Sequence, residues 1–121
     1  MATNIFKFRA WDHFNAHMRY STDNLALFFI NMEELKKAGN GIVYMQFTGR
    51  EDAEINGTEV WEGDIIQNCD TKELEVVYWN ETECAWFCRY VKDSEHIVSL
   101  ADSLGNLNKV VGNIYENPPL A

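Results

Sequence analysis

Between residues 60 and 91 the chain repeats one pattern: short apolar or aromatic runs of strand length, each stopped by a polar corner. "EVW" gives way to "EGD"; "IIQ" follows, then "KELEVVYW", the corner "NETE" and "CAWFCRYV". Such runs read as strands and such corners as tight connections, the pattern of a small, highly curved β-barrel or sandwich. The "EGD" corner has its own logic. Gly63 permits a sharp change of backbone direction between Trp61 and Ile65, and the Asp64 carboxylate is placed to accept a nearby backbone N–H.

The flanks extend the β reading. "IFKFRAW" (5–11) is an aromatic-rich strand, and "HMRY" returns as the second arm of a hairpin. "LALFFI" (25–30) reads as a third, buried strand. "NMEELKKAGNG" predicts a short helix with Asn31 as N-cap, Glu33 and Glu34 in the first turn, Lys36 and Lys37 in the last and Gly39 beyond. "IVYMQFTG" (42–49) resumes the strand pattern. "REDAEINGTEV" is a solvated acidic loop whose turn signal is Asn56-Gly57. "SEHIVSLADSLGNL" predicts a second helix, capped by Ser94, with Ile97, Leu100, Ala101 and Leu104 at helical spacing and Gly105 at its end. "KVVGNIYENPPLA" is a strand broken at Gly112-Asn113 and stopped by Pro118-Pro119. The expectation is one mostly β domain over 1–121: a barrel-like core at 60–91, an N-terminal hairpin region and two short helices.

With 46% hydrophobic residues among 121, the chain buries a core without disulfides or metals. The net charge of -9 opposes binding to a phosphate backbone, and the ten basic residues are scattered rather than gathered in a stripe. A basic partner, or simple solubility, fits better. No apolar run reaches the length of a membrane span, and Lys7 and Arg9 interrupt any secretory core, so the expected location is cytoplasmic with cysteines reduced.

Candidate chemistry competes with packing at each polar motif. Glu62 and Asp64 bracket Gly63 and share a strand face, as a divalent-cation site or an acid–base pair requires. The turn already accounts for Asp64, however, and the pair has no third ligand and no adjacent nucleophile. His13 and His17 stand four apart, but in a hairpin loop rather than on a helix. Cys84 and Cys88 lack zinc-knuckle spacing; with Trp86 and Tyr90 they form one face of a strand as small hydrophobes, and Cys69 stands apart. No catalytic, metal or cofactor set is assigned.

The aromatics allow two further roles. Trp61, Tyr78, Trp79, Trp86, Phe87 and Tyr90 are numerous enough for base stacking, but only Arg89 and Lys92 fall near them. Four Trp, seven Phe and five Tyr exceed what one thin core hides, and the surplus suits a subunit interface. Trp79 and Trp86 are the candidate interface residues, because they flank one tight corner and are placed to face each other across it. Gly63, Asp64, Gly112 and Asn113 are read as structural turns.

Three stretches also carry a resemblance. "FKFRAWDHFNAHM", "MQFTG" with "EVWEGDIIQ", and "VVGNIYENPPL" resemble, in order, the motifs of the YopX family of small phage and prophage proteins. The chain departs from that pattern at Arg50, where a hydrophobic residue is usual after "TG", and in a longer acidic loop before "EGD". The resemblance implies a mostly β fold with a small SH3-like barrel, a phage or prophage origin, self-association and no established activity; it carries no catalytic residues. The expected function is that of a non-enzymatic accessory protein, a homo-oligomeric interaction module with a host or phage protein as possible partner. The alternatives are a nucleic-acid-binding small barrel and a metal-dependent enzyme using Glu62 and Asp64.

Overall fold

The computed structural model describes residues 6–52 and 57–120. It is mostly β, with 43% of the described residues in strands and 19% in helix. The chain divides into two compact units, residues 1–47 and 48–121.

In the first unit β1 (Phe8–Asp12) and β2 (His17–Tyr20) form the expected hairpin, with Trp11 opposite Met18 and Asp12 opposite His17. Its tight turn is organised by Asp12. The carboxylate accepts Asn15 N–H at 3.1 Å, Asn15 Nδ2 at 2.8 Å, Arg19 Nη2 at 3.0 Å and Asn40 Nδ2 at 3.1 Å. Ala16, in the same turn, takes a left-handed φ of 51°.

The next element differs from the sequence reading. Residues 25–30 are not a strand but the first half of helix α1 (Leu25–Lys37). Asn24, not Asn31, is the N-cap, its Oδ1 accepting Leu27 N–H at 3.0 Å. Phe28 and Met32 are buried, and Phe29 and Leu35 are packed against the same cluster: one helical face. Leu27 and Ile30 are exposed, and these two filled in the apolar run and hid its period. Ala10 of β1 joins Phe28 and Met32, and Phe29 meets Phe8 edge-on at 5.2 Å. β3 (Ile42–Glu51) then pairs antiparallel with β1, Ala10 opposite Tyr44. Arg50 and Glu51, read as loop, belong to this strand.

The end of β3 enters the second unit, where β4 (Glu59–Trp61) lies beside it and Thr48 Oγ1 donates to the Val60 carbonyl at 2.6 Å. Asn56 of the expected hairpin turn lies outside the described residues; Gly57 has the left-handed φ of 58° that such a turn requires. β5 (Asp64–Gln67), β6 (Leu74–Asn80) and β7 (Ala85–Tyr90) follow in the anticipated order.

The sequence reading places a helix from Ser94, and here it requires a second correction. Residues Ile97–Ser99 form β8, paired with β7, and only Leu100–Gly105 form α2, capped by Ser99, whose Oγ accepts Asp102 N–H at 3.1 Å. Ile97 is exposed, and Val98 pairs with Cys88. Two β-branched residues beside an open strand edge gain more from ladder hydrogen bonds than from one further helical turn. β9 (Lys109–Asn113) closes the order β8-β7-β6-β5-β9, and a short 3-10 turn spans Pro118–Leu120. Gly112 and Asn113, read from sequence as a break in this strand, are its last two residues, held by pairing with Ile65 and Asp64, and the chain turns only after them. This five-stranded antiparallel sheet is a curled half-barrel that draws in two strands beyond residue 91. Its core is Val60, Ile66, Val77, Cys88, Leu100 and Leu104. No helix among the described residues is long and apolar enough to cross a membrane.

Candidate functional site

β6 and β7 pair over their full length, with Val77 opposite Cys88 and Trp79 opposite Trp86. Side chains alternate along a strand, so Glu75, Val77 and Trp79 share one face with Tyr90, Cys88 and Trp86. The middle of that face is core. Its far end is the tryptophan pair, rings 5.1 Å apart and inclined at 72°. Trp86 packs against the core, while Trp79 keeps 43% of its surface exposed. Both residues are thus brought together, and one offers an apolar face to solvent. Cys84 departs from the expected row: it lies in the turn with φ 51° and is exposed, whereas Cys88 is fully buried. Turn geometry after "NETE" removes Cys84 from the strand alternation. Burial, with Glu75 close by, pushes the Cys88 thiol up to about 12, so it behaves as a small hydrophobe.

Of the two cations considered for nucleic acid, only Arg89 lies on the opposite face of these strands. The Arg89 guanidinium lies 5.2 Å over the Tyr78 ring, and Lys92 is exposed past the strand end. Tyr90 instead stacks on His96 at 4.1 Å with nearly parallel rings.

The Gly63-Asp64 turn and the Gly112-Asn113 end of β9 come together. Asp64 is opposite Asn113 and Ile65 opposite Gly112, on neighbouring strands β5 and β9. Asp64 Oδ2 accepts Trp61 N–H at 2.7 Å across Gly63, whose φ is 87°. Gly63 donates to the Val77 carbonyl and accepts Ile114 N–H, both at 3.0 Å. Asn113 Oδ1 accepts the N–H groups of Tyr115 and Glu116, at 3.0 and 2.8 Å, and Asn113 N–H donates to Asn117 Oδ1 at 3.1 Å. Glu62 and Asp64 differ in setting: Asp64 is buried and engaged with backbone, and Glu62 is half-buried. Among the described residues there is no group of three His, Cys, Asp or Glu side chains able to hold a metal ion.

A family profile described as YopX protein matches residues 7–121, a span that takes in both of these stretches. The chain belongs to the YopX family. No curated protein matches it. Among solved structures, this YopX chain is similar to protein EF1440 from Enterococcus faecalis, with 21% identity, a TM-score of 0.62, and coverage of 98% of this chain and 100% of that one. At that identity the likeness shows the fold.

Two polar clusters of the YopX chain were not anticipated. Glu75, 1% exposed, accepts Ser103 Oγ–H at 2.8 Å; Asn108 Nδ2 donates to Ser103 Oγ at 3.2 Å and Asn108 Oδ1 accepts Cys69 N–H at 2.9 Å. Burial raises the Glu75 carboxyl above the usual carboxylate range, with Ser103 opposing. The second is Asp52, buried, which accepts Thr58 N–H at 3.0 Å and Val110 N–H at 3.1 Å. The signal for Glu75 was present in "LEVVYW", where it shares the inward alternation of Val77; Asp52 left none. His13 and His17 are exposed in and beside the β1–β2 turn, and His13 meets the edge of Trp11 at 6.3 Å.

Proposed function

We propose that this YopX protein is a self-associating, non-enzymatic interaction module that serves a phage or prophage in the host cytoplasm, docking on a host or phage protein. The observation that carries the reading is the Trp79–Trp86 pair: a rigid, edge-to-face aromatic unit anchored in the core by Trp86 and left open at Trp79. Tryptophan clusters of this kind supply the anchors of protein interfaces. The net charge of -9 points the same way, since it disfavours nucleic acid and suits a basic or neutral protein surface. Asp64 is held by backbone in its turn, which favours structure over catalysis at the "EGD" corner.

The test is light scattering coupled to size exclusion over a dilution series at two salt concentrations. A multimer whose mass falls on dilution, and which Trp79→Ser reduces to monomer without loss of the folded near-ultraviolet spectrum, supports the reading. A monomer at every concentration overturns self-association.

A further inference from the structure

We propose that a cavity between the β5–β6 loop and the start of β9 binds a small phosphate-type oxyanion, either free or as the terminal group of a small metabolite. The cavity, about 170 Å³, is lined by Gln67, Asn68, Cys69, Lys72, Leu107 and Lys109. In a chain of 19 acidic and 10 basic residues, its charged lining is two lysines and no carboxylate. Asp70 and Glu73, the acidic residues of the same loop, are not part of that lining.

The donors are available. Lys72 Nζ spends one N–H on the Cys69 carbonyl at 3.1 Å, and an ammonium has three. The Lys109 ammonium has no hydrogen-bond or ion-pair partner among the described residues. Asn68 uses its Oδ1 on Asp70 and Thr71 N–H, at 2.8 and 2.9 Å, which leaves its Nδ2 unengaged. Two cations and an amide donor around a pocket of this size match an oxyanion that accepts several hydrogen bonds and carries more than one charge.

The walls are held, not loose. Gln67 Nε2 donates to the Lys72 carbonyl at 3.3 Å, and buried Asn108 ties the loop to β9 through Cys69 N–H. Lys72 and Leu107, both in the lining, take left-handed φ values of 64° and 63°. Side chains other than glycine seldom accept that conformation, and residues kept in it cluster at ligand clamps.

The experiment titrates inorganic phosphate, then a nucleoside monophosphate, into isotope-labelled protein at constant ionic strength set with chloride, following backbone amide shifts. Saturable shifts confined to residues 67–72 and 107–109, weakened about tenfold or more in Lys72→Gln/Lys109→Gln, are expected; tenfold corresponds to about 1.4 kcal/mol. Both lysines are exposed, so amide dispersion in the double variant verifies its fold. Tighter binding of the monophosphate identifies the metabolite form and equal binding the free ion. Absence of saturation, the same shifts with chloride alone, or an unchanged titration in the double variant overturns the proposal.

Discussion

Asp64 and Asn113 face each other on neighbouring strands, and each carboxylate or amide closes its own turn: Asp64 on Trp61 N–H at 2.7 Å, Asn113 on Tyr115 and Glu116 N–H. The two corners are joined through Gly63, which accepts Ile114 N–H.

Asp64→Ala leaves the Trp61 N–H without its carboxylate acceptor beside a buried residue, at a cost of about 1–3 kcal/mol. Urea unfolding checks this. The loss should be the same with and without magnesium; a loss confined to magnesium-containing buffer would assign Asp64 to a cation instead.

Gly112→Ala places a methyl group against the Asn117 side chain, whose Oδ1 also receives Asn113 N–H. Steric insertion into an engaged side chain costs about 1–3 kcal/mol. Thermal melting should show the drop, and Gly112→Ala/Asn117→Ala should lose less than the sum of the single variants, because the two share one contact.

Glu75 makes stability fall as pH rises. Its folded carboxyl is raised above the ordinary 4.5, so above that pH the unfolded chain releases a proton that the folded chain still holds. The decline begins near 4.5 and is complete above the raised value. Glu75→Gln keeps an acceptor for Ser103 and removes this decline, so the variant's advantage over wild type should grow with pH; chemical denaturation at a series of pH values measures it.

Asp12 acts in the opposite sense. Its Asn15, Arg19 and Asn40 partners, with Asn15 foremost, hold the carboxyl far below its ordinary 3.8, against the effect of burial. Its stabilisation is complete above 3.8 and is lost as pH falls, because the unfolded chain takes up a proton first. Asp12→Asn should therefore be destabilised at neutral pH yet converge on wild type in acid, and should loosen the β1–β2 hairpin, read by amide exchange at Met18 and Arg19.

The strands from Val60 to Tyr90 and the Gly63-Asp64 turn were legible because their signals are local: alternation, β-branched and aromatic runs, and glycine where the backbone reverses; Gly112-Asn113, read as a break, instead stays within β9 and the reversal follows it. The tryptophan pairing followed from one short corner. The helix at Leu25–Lys37 was not legible from six consecutive apolar residues, because two of them, Leu27 and Ile30, lie on its exposed face. Ile97–Ser99 misled in the other direction, since helical spacing there coincides with a strand that forms only where the β7 edge is open.

By itself, then, the chain determined its strand-rich character, its family motifs, the Gly63 corner and an aromatic surplus. The tertiary structure decided where each long-range partner lies: Glu75 against Ser103, Asp52 against Val110, Lys72 and Lys109 around one cavity. Local propensity acts over a few residues, whereas these pairings depend on which strands become neighbours, and the burial that shifts a carboxyl or empties a cavity of acidic groups exists only after the chain has closed around it.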